Sequence, residues 1–109
     1  MLLNDPAYVE AARALAQRVM KEGGTKVTDR LTYAFRLTLA RNPTKKEIEV
    51  LERIYEQQLA NFRHDNEAAK GLLSAGESPR PENLDDGELA AWTAVGNVLL
   101  NLDETITKG

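Results

Sequence analysis

The sequence predicts an all-α fold, a compact bundle of about five helices. Three observations lead there. Helix start and stop signals punctuate the chain, apolar residues between them recur at helical spacing, and no alternating run of β-branched residues lies between turns. The predicted spans are 6–22, 28–41, 45–63, 66–74 and 86–102.

Asp5-Pro6 reads as an N-cap followed by proline at the first helical position, where the missing N–H costs nothing. Tyr8, Ala12, Leu15, Ala16 and Val19 then form one helical face. Gly23-Gly24 stops the helix, because glycine enters the left-handed conformation of a C-cap without a side-chain clash. The second helix starts near Thr28 and presents Leu31, Ala34, Phe35 and Thr38 on one face, with Leu39 beside it. Asn42-Pro43 ends it, since proline disfavours helix in the residue before it.

Thr44-Lys45-Lys46-Glu47 is a capping box, in which the threonine hydroxyl and the glutamate carboxylate each satisfy an orphan backbone N–H. The apolar stripe that follows is Ile48, Leu51, Tyr55, Leu59 and Phe62, with Glu49 and Arg53 spaced to pair on the wet side. Asp65 is placed to cap a short fourth helix closed by Gly76. The segment from Gly76 to Leu84 holds Pro79 and Pro81 and reads as the longest loop. Asp85-Asp86-Gly87-Glu88 resembles a second capping box, and carboxylates in a first turn suit the helix dipole. Leu89, Trp92, Val95, Gly96 and Leu99 form the buried face of the fifth helix, and Thr105 to Gly109 are expected to fray.

With 109 residues the chain has room for one domain, 1–109. Hydrophobic residues at 42% and charged residues at 28% place it among ordinary soluble globules rather than disordered chains. The net charge of −3 is unevenly spread: Met1 to Arg41 carries seven basic and four acidic residues, Pro81 to Gly109 one basic and six acidic. The simplest reading is attraction between a basic half and an acidic end within one fold. A nucleic-acid partner is not expected, because the pI is about 5.2 and the Arg and Lys residues are spaced singly. The absence of cysteine excludes disulfides, thiolate metal sites and Cys nucleophiles within the chain. No apolar run approaches the ~20 residues of a membrane span, and the first residues lack the pattern of a signal peptide.

No catalytic set converges in the sequence, and no cofactor or metal site is assigned. His64 is the only histidine and reads as a helix-end residue, since a general base or ligand needs partners. Asp85, Asp86 and Glu88 lack the alternating pattern of a calcium loop and are explained by capping. Ser78 has no activating base in view. Trp92, the only tryptophan, lies on the apolar stripe and reads as a core anchor; exposed, it would mark an interface. Asn97 and Asn101 lie four apart on the last helix, either solvated or hydrogen-bonded to a loop or neighbouring domain. Arg36, Arg41 and Arg80 are suited to holding anionic groups, and ion pairs with the acidic C-terminal segment are the simpler reading. The candidate interaction residues are therefore Arg36, Arg80, Trp92, Asn97 and Asn101.

Several blocks occur in a telling order: Leu3-Asn4-Asp5-Pro6, Val9-Glu10-Ala11-Ala12-Arg13-Ala14-Leu15-Ala16, Tyr33-Ala34-Phe35-Arg36, Pro43-Thr44 with Glu47, Gly76-Glu77-Ser78-Pro79, Glu88 to Val95, and Leu99 to Glu104. In these the chain resembles the C-terminal part of the large planctomycete domain of unknown function, found in exported proteins that often also carry a planctomycete-type cytochrome c domain. The resemblance implies a long, multidomain, extracytoplasmic or cell-surface parent, with roles suggested around surfaces, polysaccharides or electron transfer. It supplies no catalytic residue to carry over, and the haem motif belongs to another domain. The abrupt start at the Leu-Leu-Asn-Asp-Pro block leads to the expectation that the chain is a segment of a larger protein.

The leading expectation is a non-catalytic helical module for structure or interaction, partnered by upstream domains of its parent. One alternative is a glycan- or anionic-ligand-binding module using the arginines with Tyr8, Tyr33, Tyr55 and Trp92; it requires two aromatics exposed on one face. The other is one wall of an enzyme site completed by upstream domains.

Overall fold

The computed structural model describes residues 6–73 and 85–108, with side chains described for 9–73 and 85–102. Five helices follow in order: α1 (Pro6–Glu22), α2 (Val27–Leu39), α3 (Lys45–His64), α4 (Asn66–Leu73) and α5 (Asp86–Lys108). They form an all-α bundle with a radius of gyration of 13.0 Å, close to the ~13 Å of a packed chain of about this length.

Local chemistry sets most boundaries. The capping box at α3 is complete: the Glu47 amide donates to Thr44 Oγ1 at 3.1 Å, and the Thr44 amide donates to Glu47 Oε1 at 2.8 Å. Asp65 serves two helices. Its N–H donates to the Asn61 carbonyl at the end of α3, and its carboxylate accepts the Ala68 N–H at the start of α4. Asp85 accepts the Glu88 N–H at 2.9 Å and so caps α5. The Asp5 cap, the Gly76 stop and the 76–84 loop lie outside the described residues.

Gly23-Gly24 turns the chain out of α1, with Gly24 at φ 88°. A Cβ on Gly23 would stand 2.6 Å from the Val19 carbonyl oxygen, so that position admits no side chain without movement. Arg30 on α2 then reaches back, donating from Nε to the Gly24 carbonyl (2.8 Å) and from Nη2 to the Met20 carbonyl (3.3 Å). A cation on the last carbonyls of a helix also suits the dipole.

Two helix ends differ from expectation by more than one residue. α2 stops at Leu39, not 41, because Ala40 adopts the left-handed conformation (φ 57°) and donates its N–H to the Arg36 carbonyl. The chain must leave the helix there to meet Asn42-Pro43 and the cap at Thr44. α5 runs to Lys108, past the expected end at 102 and through residues expected to fray, since no Gly or Pro stands between Leu102 and Gly109. The Glu49–Arg53 pair does not form; ion pairs instead join Arg18 to Glu22, Arg41 to Glu47, and Arg63 to both Asp85 and Glu88.

α5 is the central helix and packs against all four others. Leu89, Ala90, Ala91, Trp92, Thr93, Val95 and Leu99 are buried, which covers most of its circumference. Thr93 is accommodated because its hydroxyl donates to the Leu89 carbonyl at 2.7 Å. Gly96 allows close approach to α1, since a Cβ there would lie 3.1 Å from the Ala12 carbonyl oxygen. Leu31, Ala34 and Phe35 of α2, Leu51 and Tyr55 of α3, and Ala69 and Leu73 of α4 close the core around it.

Candidate functional site

The helices leave two grooves that bear on function. The first lies between α3 and α5, with α2 at its floor, and measures about 540 Å³. Val50 and Ile54 form one wall and Val98 and Leu102 the other, each pair one helical turn apart, over Phe35 and Leu51. Val50 (45% exposed) and Leu102 (42% exposed) are two of the three large apolar side chains on the described surface, the third being Leu37.

The second groove runs along the outward face of α2 and is lined by Tyr33, Arg36, Leu37, Ala40, Arg41 and Asn42. Positions 33, 36 and 37 share one helical face, and Ala40 is the cap that ends it. The Tyr33 hydroxyl donates to the Glu22 carboxylate, which also accepts from Arg18. That carboxyl is held below its usual range, first by the Tyr33 hydroxyl and then by Arg18. Arg41 stacks on the Phe35 ring at 4.7 Å and gives two nitrogens to the two Glu47 oxygens, at 3.0 and 2.8 Å. This fork, with the Thr44 amide second, holds the Glu47 carboxyl at about 2. Arg36 is exposed and makes no ion pair or side-chain hydrogen bond among the described residues.

The candidate residues therefore do not converge. Arg36 lies on the second groove, Arg80 lies outside the described residues, and Trp92 is buried as a core anchor. Asn101 donates from Nδ2 to the backbone carbonyl of Asn97 at 2.7 Å, so this link stays within one helix. The Asn97 side-chain oxygen is buried without a hydrogen-bond partner among the described residues. The arginines do not pair with the acidic end in the way expected: Arg41 takes Glu47, and it is Arg63 that reaches Asp85 and Glu88. His64 is exposed at the end of α3.

The aromatic residues do not share an exposed face among the described residues. Tyr55 and Trp92 are buried and Tyr33 is half-buried; the Tyr8 side chain lies outside the described set. Burial, and then the nearby Glu88 carboxylate, raise the Tyr55 phenol above its ordinary value. No group of three or more His, Asp or Glu side chains among the described residues is arranged to hold a metal ion. No described helix is long and apolar enough to cross a membrane.

Sequence reasoning missed Arg13. It is buried to 1% exposure in α1, and its Nη1 donates to the Leu73 carbonyl at the end of α4. Its spacing contained the signal: Val9, Ala12, Arg13, Ala16 and Val19 follow the i, i+3, i+4, i+7 pattern of an inward face. Val50 and Ile54 were missed as well, because they sit beside the main stripe of α3 rather than on it.

Residues 1–55, just over half of the 109-residue chain, match the family model PSD1, Protein of unknown function (DUF1553). No curated protein and no solved structure matches the chain.

Proposed function

The chain belongs to the PSD1 family of unknown function, and on that premise we propose that it is a non-catalytic helical module serving structure or interaction within a larger protein. The observation that carries this reading is the use made of its side chains. Glu47, Asp65 and Asp85 are spent on helix caps and Arg41 and Arg63 on ion pairs, while Val50 and Leu102 are left standing at an open apolar groove. Groups committed to caps and ion pairs are poorly placed to act as acids, bases or nucleophiles. Apolar side chains grouped at a groove are suited to a partner surface.

The proposal extends to the setting implied by the resemblance: a long, exported, extracytoplasmic parent that in some members also carries a cytochrome c domain, with the upstream domains as first partners. Calorimetric titration of this chain into the separately expressed remainder of its parent tests it. Micromolar or tighter binding supports the reading, and a cooperatively melting chain that binds nothing overturns it.

A second reading is favoured by one observation: Arg36, which has no ion pair among the described residues, lies beside Tyr33 and Asn42 at the second groove. In that reading the second groove takes an anionic ligand. Titration with glucuronate, followed through the amide signals of residues 33–42, checks it; shifts that persist in Arg36→Gln remove it.

A further inference from the structure

The groove between α3 and α5 has a feature that stability does not account for. The first two residues of α3, Lys45 and Lys46, are cations in the first turn, where the helix dipole favours anions. Neither forms an ion pair among the described residues, and both are exposed. Lys46 lines the mouth of the groove. The one carboxylate that also lines it, Glu47, is neutralised by the two-nitrogen grip of Arg41. The groove thus combines an apolar floor with a basic lip.

Its shape is equally specific. Tyr55 meets Trp92 and Arg63 meets Asp85, while Val50 and Ile54 face Val98 and Leu102. The two walls therefore come from antiparallel helices and form two straight ridges of apolar residues one turn apart. A third helix with apolar residues at i, i+4 and i+7 fits between such ridges.

We propose that this groove binds an amphipathic helix of a partner polypeptide whose apolar anchors are flanked by acidic residues, the acids meeting Lys46 at the lip. The proposal rests on reading the chain as an interaction module. It fixes which surface is used and what chemistry the partner carries.

A pair of fluorescein-labelled synthetic helical peptides tests it by anisotropy. Both carry leucines at i, i+4 and i+7; one has glutamates on the flanks and its twin has lysines. The acidic peptide is expected to bind about tenfold more tightly than the basic one, with the gap closing at high salt. Lys46→Glu reverses that preference. Val50→Gln and Leu102→Gln, at exposed positions and checked for folding by circular dichroism, each weaken the acidic peptide several-fold. Equal binding of the twins, indifference to Val50→Gln and Leu102→Gln, or no binding overturns the proposal. Sedimentation of the free chain is run alongside. Self-association abolished by Leu102→Gln would assign the groove to a second copy and equally overturn the partner helix. Binding to the parent's remainder that both variants leave intact would keep the module reading and remove this groove from it.

Discussion

The Tyr55 and Trp92 rings lie with centroids 4.3 Å apart and planes tilted by 33°, joining α3 to α5 at the centre of the core. Trp92 is 1% exposed, and its indole N–H makes no hydrogen bond of ordinary geometry among the described residues. The contact therefore rests on apolar burial and ring packing, which offset the cost of an unsatisfied donor.

Trp92→Ala is expected to cost about 3–5 kcal/mol, a large part of the roughly 5–15 kcal/mol that holds a domain folded. Urea denaturation followed by far-UV circular dichroism checks it. Trp92→Phe keeps a ring against Tyr55 and removes the orphan N–H, so its cost should be smaller, about 1–2 kcal/mol. If the two substitutions cost the same, the ring contact contributes nothing.

Arg13 joins α1 to the last turn of α4. Arg13→Met keeps much of the apolar stem but leaves the buried Leu73 carbonyl without this donor, a loss of about 1–3 kcal/mol. α4 has only eight residues and depends on tertiary support. Amide exchange should therefore quicken across 69–73 more than in α3. Unchanged protection in α4 would show that Arg13 does not hold it.

The glycines divide sharply. Gly71 has nothing within 4 Å of its ideal Cβ, so Gly71→Ala should stabilise the protein by about 0.5–1 kcal/mol through helix propensity. Gly23→Ala places a methyl 2.6 Å from the Val19 oxygen and should destabilise by about 1–3 kcal/mol. Thermal melts of the two variants should move in opposite directions.

Acid should weaken the start of α3. The Glu47 carboxyl is held at about 2 against an ordinary 4.5, chiefly by Arg41. A depressed carboxyl contributes stability that is complete above its unfolded value and is lost as pH falls through the folded one. Melting temperature should therefore decline from about pH 5 towards pH 2. Glu47→Gln should flatten that slope, leaving the part due to Glu22, which Tyr33 and Arg18 also hold down. An unchanged slope would show that the Arg41 grip is absent in solution.

Much of the fold was legible in the sequence because its signals are local. The Thr44–Glu47 box, the Asp65 and Asp85 caps and the Gly23-Gly24 stop each act within about four residues, so adjacent positions suffice to read them. The inward faces of α2 and α5 were legible for the same reason, since a helix brings i, i+3 and i+4 together whatever surrounds it. The candidate site was legible only in part. Arg36 was noticed as a cation, but its lack of a partner depends on where Glu22 and Glu47 end up, and both are taken by other groups.

What the sequence determined by itself was the helical class, the order of the five helices and most of their ends, all products of short-range hydrogen bonding and periodicity. Only the tertiary structure decided that Arg13 reaches the Leu73 carbonyl of α4, that Arg63 rather than Arg41 meets the acidic start of α5, and that Val50 and Leu102 face an open groove. Those outcomes depend on which helix covers which face. That choice is made by packing between residues far apart in the chain, and no local pattern encodes it.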